Sequence, residues 1–222
     1  MKVDVWSDVM CPWCAVGFGN LQEAIQKFDS PVEVRWHAFE LDRNAVAVIE
    51  GDYAHALAKK YGKTLADAQT WLDQMSSAGA KVGVKFDFSQ LRPGNSFNSH
   101  RLLQLAHERG VQTAFKEHLL RACFEQGVAL GDKSALRVLA LDAGLPETEV
   151  DDVLASDRFT AEVRADQDQA NKLGINGVPF FVVNNQFALS GAQPPQALLG
   201  AFRDAAAKSQ SSTGTTDEGS CA

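Results

Sequence analysis

Two cysteines separated by two residues, Cys11 and Cys14, are the side chains of this chain best suited to covalent chemistry. A strand-forming stretch at 2–6 precedes them, and apolar residues recur at helical spacing from 16 to 28 after them. Pro12 suits the first position of that helix, because a backbone N–H has no intrahelical acceptor there. The pair is therefore expected at a strand-to-helix junction.

This position favours reactivity at the first thiol. Unpaired N–H groups at a helix N-terminus stabilise negative charge, so Cys11 is expected to form the nucleophilic thiolate readily. Cys14, one turn further along, can attack Cys11 once Cys11 is bonded to another sulfur, so the pair can form and break a disulfide repeatedly. Asp8 would oppose the thiolate by its charge, and a hydrogen bond near the helix start is its expected role. The nearest cations in sequence, Lys2 and Lys27, offer the thiolate little help.

Half of a zinc site is the alternative interpretation of the two cysteines. A structural zinc site takes four ligands, usually in two close pairs, whereas Cys123 and Cys221 are single and far apart. The strand–Cys–Pro–x–Cys–helix context favours redox chemistry, and no metal site is predicted. A binding or metal-sensing module that shares zinc with a partner chain stays open as a further possibility. Cys123 follows Phe115 and Leu119 at steps of four, a pattern typical of a buried, inert thiol.

Composition narrows the class of protein. Of the 222 residues, 45% are hydrophobic and 22% are charged. This composition suits one globular unit or a core domain with a second small one. The net charge of -7 and the lack of a basic run give no electrostatic support for binding nucleic acid or an anionic membrane. No signal peptide and no apolar stretch of ~18 residues is recognised. The few cysteines favour the cytoplasm as the compartment.

The order of elements predicts a helical insertion in an α/β domain. A strand at 32–39 completes a βαβ unit with the first helix. Helical patterns then dominate to about residue 173, apart from an alternating stretch at 81–88 that is expected to be extended. A β-hairpin turning at Asn184 and Asn185 and a last helix follow. We assign residues 1–45 and 157–208 to the α/β domain, 46–156 to the helical insertion and 209–222 to a disordered polar tail.

Three motifs together resemble the DsbA-like form of the thioredoxin fold. They are the run from Ser7 to Cys14, the Asn-Ser-x-x-x-His-Arg sequence of residues 95–101, and the Gly-Val-Pro-Phe-Phe sequence of residues 177–181. The chain is similar to the FrnE-type cytoplasmic branch of that family over about residues 1–208. The resemblance implies an α/β thioredoxin fold with an inserted all-helical domain, and thiol–disulfide oxidoreductase activity.

The resemblance also implies roles for individual residues. Cys11 would be the nucleophile, Cys14 the resolving thiol, and Pro179 a cis-proline facing them across the sheet. The residues expected to contact substrate are Pro12, Trp13, Val178, Pro179 and His100. No organic cofactor is expected, only an external redox partner such as glutathione or a thioredoxin system. The expected substrates are protein or small-molecule thiols and disulfides, and the expected assembly is a monomer or homodimer.

A glutathione-dependent enzyme is the alternative within the same superfamily. Kappa-type glutathione transferases and 2-hydroxychromene-2-carboxylate isomerases are similar in layout. They generally carry serine at the position of Cys11, so the cysteine here argues against that activity. A glutathione-dependent isomerase or transferase acting on a small aromatic substrate remains the second hypothesis.

Overall fold

The computed structural model describes residues 1–213 and contains a central sheet of four strands. The strands are β1 (Lys2–Ser7), β2 (Glu33–Ala38), β3 (Phe180–Val183) and β4 (Phe187–Ser190). Their spatial order is β2-β1-β3-β4; β1 pairs in parallel with β2, and the other pairs are antiparallel. The hairpin between β3 and β4 turns at Asn184 and Asn185, both with positive φ, as the sequence predicted.

Nine helices are present in the described part of the chain, and their ends follow local sequence signals. The first begins at Pro12, the second ends at Gly62 in the left-handed conformation, and Thr64 and Asp67 form a capping box at the third. The helices are α1 (Pro12–Gln26), α2 (Tyr53–Tyr61), α3 (Leu65–Ala80), α4 (Phe97–Glu108), α5 (Gln112–Gln126), α6 (Lys133–Asp142), α7 (Glu147–Ala155), α8 (Thr160–Lys172) and α9 (Pro195–Thr213).

Alternation along β1 divides the core between the two faces of the sheet. Val3 and Val5 belong to the large cluster that also holds residues of α1, α5 and α9. Trp6 belongs to a smaller cluster with Ala170 of α8. The sheet therefore lies between α1 and α9 on one face and α8 on the other, and β1 delivers the residues that follow it to the edge where α1 begins.

A largely buried histidine joins α8 to the sheet. Nδ1 of His37 lies 2.7 Å from Oδ1 of Asp166 in α8, and Nε2 lies 2.8 Å from Oδ1 of Asp4 in β1. Ionised carboxylates only accept hydrogen bonds, so this arrangement favours the imidazolium form of His37, in which both ring nitrogens donate. Burial lowers the pKa of His37, but the two carboxylates outweigh it and the pKa is raised overall.

The stretch 81–88 is not a strand, which corrects the sequence prediction. Its alternating side chains pack on helices instead: Phe86 stacks on Phe88 with ring centroids 5.1 Å apart and meets Phe124 of α5 edge-on. Phe86 also lies so close to Gly79 at the end of α3 that a Cβ there would be 2.5 Å away. A period of two marks every second residue as buried, but it does not say whether a strand or a helix covers those residues.

The connection between β2 and α2 is fixed to the insertion by its backbone. The carbonyl oxygen of Ala47 would be 2.0 Å from a Cβ at Gly94 and 1.5 Å from one at Gly131, so only glycine fits at both positions. The N–H of Ile49 donates to the carbonyl of Pro93 at 2.7 Å. The connection is therefore an ordered part of the structure.

The predicted tail begins inside a helix. Helix α9 continues to Thr213, beyond the boundary predicted at residue 209, and residues 214–222, with Cys221, lie outside the described residues. The domain boundaries at residues 45/46 and 156/157 stay a prediction. Among the described helices, none is long and apolar enough to cross a lipid bilayer.

Candidate functional site

The junction of β1 and α1 places the two cysteines as the sequence predicts. Cys11 is the N-cap of α1 with extended backbone angles, and Pro12 takes the first helical position. The N–H of Cys14 donates to the carbonyl of Cys11 at 2.9 Å, which brings the residues into one helical turn. Both thiols are free. The site therefore presents two neighbouring thiols at the N-terminus of a helix.

Both cysteines are almost fully buried. Only 5% of Cys11 and 1% of Cys14 is exposed. The thiol of Cys11 donates to the carbonyl of Val178, with Sγ and O 3.6 Å apart, and Tyr53 of α2 is close enough for the charge of Cys11 to contribute to its raised pKa, after burial. A foreign disulfide can meet the pair only through the small exposed edge of Cys11.

The residues before β3 complete the outer rim of the site. The Val178–Pro179 peptide bond is cis. The ring of Pro179 packs on α1 at Gly17, where a Cβ would lie 2.7 Å from Cγ of the proline. Trp13 is exposed between the cysteines. Pro12, Trp13, Val178 and Pro179 thus surround the thiols, and their contact with substrate stays a prediction.

The thiol of Cys14 holds its proton more firmly than an ordinary cysteine does. Burial raises the pKa of Cys14 well above its ordinary value, and the hydrogen bond and charge of Cys11 raise it further. The charge of Lys116 acts in the opposite direction without cancelling those effects. Removing the proton from Cys14 therefore requires help from a nearby group or a change in its surroundings.

Asp8 organises the loop before the cysteines. Its Oδ1 accepts from the N–H of Met10 at 3.1 Å, and its Oδ2 accepts from the N–H of Leu41 at 2.8 Å. Burial raises the pKa of Asp8, but His100 and these two N–H groups outweigh it, so the pKa is lowered. The carboxylate thus has the hydrogen-bonding role near the helix start that the sequence predicted.

His100 takes a different position from the one expected. Only 2% of this residue is exposed, and its Nε2 lies 3.6 Å from Oδ1 of Asp8, beyond hydrogen-bond length but within the range of an ion pair. The side chain faces Asp8 and is buried, which does not favour the expected contact with substrate, and that contact stays a prediction. Arg101, the next residue of the same motif, donates to the carbonyls of Ser156 and Arg158, which lie between α7 and α8.

Lys116 is the charged residue near the thiols that the sequence analysis missed. It comes from α5 in the insertion and is 1% exposed. Its charge acts on Cys14, Asp8 and Cys11, whereas the cations nearest in sequence, Lys2 and Lys27, do not act on Cys14. The available signal was a lysine in an apolar helical stripe, followed by Leu119 three residues later.

Cys123 is buried as predicted and borders the site from α5. Its thiol lies 3.9 Å from Sδ of Met10, the residue before Cys11. Burial and the charge of Asp8 raise the pKa of Cys123, so it remains a thiol. Within residues 1–213, no group of three or more histidine, cysteine, aspartate or glutamate side chains is placed to hold a metal ion.

Comparison with known proteins agrees with this geometry. The family described as a DSBA-like thioredoxin domain matches residues 2–203. A structure of a probable DsbA oxidoreductase from Streptomyces coelicolor is 34% identical, with a TM-score of 0.87 over all of this chain and 94% of that one. The uncharacterized protein YwbO of Bacillus subtilis is 27% identical over 194 residues, which are 83% of this chain and 88% of that protein.

Two more distant structures share the fold. The cytosolic disulfide reductase DsbM from Pseudomonas aeruginosa is 18% identical, with a TM-score of 0.62 over 96% of this chain and 98% of that one. A 2-hydroxychromene-2-carboxylate isomerase is 15% identical, with a TM-score of 0.67 over 97% of this chain and all of that one. The predicted α/β fold, a thioredoxin fold with an inserted all-helical domain, is confirmed.

Proposed function

The chain belongs to the DSBA-like thioredoxin domain family, and on that premise we propose that it is a protein thiol–disulfide oxidoreductase in which Cys11 attacks and Cys14 resolves. The observation that carries the proposal is the pair of free thiols in the first turn of α1, with Cys11 at its N-cap. Backbone N–H groups there favour the thiolate of Cys11, which is the attacking form.

The reaction proceeds through two exchanges of sulfur bonds. The Cys11 thiolate attacks a substrate disulfide, forms a mixed disulfide and releases one substrate thiolate. The Cys14 thiolate then attacks Sγ of Cys11, which forms the Cys11–Cys14 disulfide and releases the second substrate thiolate. The substrate gains two electrons and the protein loses two. An external thiol such as glutathione or a thioredoxin system restores the dithiol, and the reverse sequence oxidises a substrate.

The rim of the site supports an extended peptide as substrate. The carbonyl of Val178 faces the thiol of Cys11, and Trp13 offers an exposed ring beside it. Main-chain bonds to residue 178 and apolar contact with Trp13, Pro12 and Pro179 would hold a peptide with its sulfur at Cys11. His100 is buried against Asp8 and is not part of this proposed contact.

We place the protein in the cytoplasm as a member of the FrnE-type branch. The small number of cysteines supports a reducing compartment. DsbM, which shares the fold, is a cytosolic disulfide reductase and has been crystallised with glutathione. These points favour glutathione as the thiol partner and protein or small-molecule disulfides as substrates, with no organic cofactor.

The glutathione-dependent isomerase is the weaker hypothesis. The fold is shared with the 2-hydroxychromene-2-carboxylate isomerase, but that likeness concerns architecture alone. A cysteine at position 11 and a second one at position 14 are what a disulfide cycle requires, whereas the resemblance implies serine at position 11 for the isomerase.

Reduction of insulin by dithiothreitol, followed by turbidity, tests the proposal. We expect catalysis by the full chain, no catalysis by Cys11→Ser, and accumulation of a protein–substrate mixed disulfide by Cys14→Ser. Cys123→Ala is the matched control, because it removes a thiol that the site does not use. Equal rates for the wild type and Cys11→Ser would refute Cys11 as the nucleophile. Glutathione-dependent turnover of a chromene that persists in Cys14→Ala would favour the isomerase.

A further inference from the structure

A buried carboxylate holds the loop that ends at Cys11, which we call the redox loop (residues 8–11). The two oxygens of the Asp8 side chain accept from the N–H of Met10 at 3.1 Å and from the N–H of Leu41 at 2.8 Å. The carbonyl of Asp8 accepts from the N–H of Cys11 at 3.4 Å. Asp8 therefore fixes the backbone that leads into the N-cap of α1.

The same carboxylate is close to the sulfur of Cys11. Its Oδ1 lies 3.1 Å from the nitrogen of Met10. Bond lengths allow at most about 8 Å between that nitrogen and Sγ of the next residue, so the charge of Asp8 is within about 11 Å of the sulfur. A negative charge at that distance opposes the formation of the thiolate. The residue that orders the redox loop is thus also a threat to its chemistry.

His100 of α4 is placed to balance this charge. Its Nε2 lies 3.6 Å from Oδ1 of Asp8 and has no hydrogen-bond partner among the described residues. Both residues are only 2% exposed, so water screens the carboxylate little. A buried carboxylate without a counter-charge is costly, and an imidazolium at this distance supplies one.

The other groups around Asp8 do not replace His100 in this respect. The titratable groups that interact with Asp8 from the neighbouring helices are three thiols and one amine: Cys11 and Cys14 of α1, and Cys123 and Lys116 of α5. Thiols bring no positive charge. Burial lowers the pKa of Lys116, and its Nζ has no hydrogen-bond partner within the described part of the chain. Across residues 1–213, the side chain within ion-pair range of the Asp8 carboxylate is His100.

Resting on the proposed function, we infer that His100 is a positioning residue for the redox step, which acts on Cys11 through Asp8. An imidazolium at position 100 balances the carboxylate, so Asp8 holds the redox loop without its charge opposing the Cys11 thiolate. In the absence of that imidazolium, Met10 and Leu41 still hold the carboxylate in place, and its charge acts on the sulfur. The histidine of the α4 motif thus contributes to the reaction without any need to touch substrate.

The thiolate absorbance of the reduced full chain at 240 nm measures this effect, with Cys11→Ser as the blank. An unbalanced charge about 11 Å away lowers the thiolate fraction about twofold in water and about tenfold at the effective dielectric constant of a protein. For His100→Gln, which replaces the ring by a neutral amide, we expect about fivefold less thiolate at a pH where little of the wild-type thiol is ionised. His107→Gln is the matched control, since His107 is exposed on the same helix, and it should leave the thiolate fraction unchanged.

Combination with Asp8→Asn shows whether His100 acts through Asp8. Without the carboxylate there is no charge to balance, so His100→Gln should change the thiolate fraction by less than about twofold in the Asp8→Asn background. Equal decreases in both backgrounds, no decrease with the carboxylate present, or an increase would each overturn the inference. If a variant does not fold, the 15N shifts of labelled wild-type protein give the protonation of the His100 ring. A ring protonated on both nitrogens at pH 7 supports the inference, and a neutral ring overturns it.

The same variants separate this inference from the proposed function. Insulin reduction that survives Cys11→Ser would refute the disulfide cycle itself. Insulin reduction that requires Cys11, together with a thiolate fraction that is insensitive to His100→Gln, would refute only the role of His100.

Discussion

Removal of His37, which lies between two carboxylates, tests how much this contact between α8 and the sheet contributes to the stability of the fold. His37→Ala leaves Asp4 and Asp166 buried without their shared cation. Breaking a buried ion pair by deleting one partner costs about 3–5 kcal/mol. Each carboxylate keeps some compensation, from Lys2 at 3.2 Å for Asp4 and from the N–H of Ala38 at 2.9 Å for Asp166. We therefore expect the lower end, about 3 kcal/mol, or about two powers of ten in the unfolding constant.

The free energy of unfolding that is lost in His37→Ala should decrease as the pH rises. The pKa of His37 is raised in the folded state, so its stabilisation is complete below the unfolded value of about 6.5 and disappears as the pH rises through the folded value. The pKa of Asp4 is lowered, so its contribution is lost only as the pH falls through the folded value, below its ordinary range. The difference between wild type and His37→Ala should be largest near pH 6 and shrink toward pH 9.

Urea unfolding at pH 6, 7, 8 and 9, followed by far-UV circular dichroism, measures this difference. Fluorescence is unsuitable because Trp6 stacks on His37 with ring centroids 4.4 Å apart. His55→Ala is the matched control, since His55 is exposed and pairs with Asp52 at the surface, and it should change stability little. A difference for His37→Ala that is constant or grows from pH 6 to 9 would show that the imidazolium is not the stabilising form.

Two further substitutions and one labelling experiment test the site and the helices around it. Gly17→Ala should destabilise the fold by about 1–3 kcal/mol in urea titrations, because its Cβ meets the Pro179 ring at 2.7 Å; full stability would mean that the ring moves freely. Thr64→Ala should cost about 1 kcal/mol by loss of the α3 cap while insulin reduction keeps its rate, and a lost activity would contradict the expectation that this cap supports stability alone. In the native protein, Cys123 should resist iodoacetamide at pH 8, since burial raises its pKa, and mass spectrometry should find it modified only after unfolding.

The parts of the fold that sequence analysis predicts correctly are those with local signals. Pro12 after a strand marks the start of α1, Thr64 and Asp67 mark the cap of α3, and Asn184 with Asn185 marks the hairpin. Each signal acts within a few residues, so no knowledge of the partners across the molecule is needed. The same holds for the position of the Cys11 thiol at the helix end.

The parts that it misses depend on contacts distant in sequence. Lys116 lies about 100 positions from the cysteines, and only the packing of α5 under α1 brings its charge to them. His100 reads as a possible rim residue until the fold turns it toward Asp8. Residues 81–88 alternate like a strand, but α3 and α5 cover their apolar side chains. In each case the sequence gives the residue type, but the residue that contacts it in the folded chain is far away in sequence.

The support beneath the redox loop has a consequence for engineering this protein. One short connection contains both Leu41 and Ala47. The N–H of Leu41 donates to Asp8, and the carbonyl of Ala47 is enclosed by Gly94 and Gly131. The segment therefore links the loop before Cys11 to Gly94 and Gly131 of the insertion by direct contact. Excising the helical insertion and closing the gap with a linker would remove the scaffold that orients Asp8, so the thioredoxin-like part is not an independent module for transplantation.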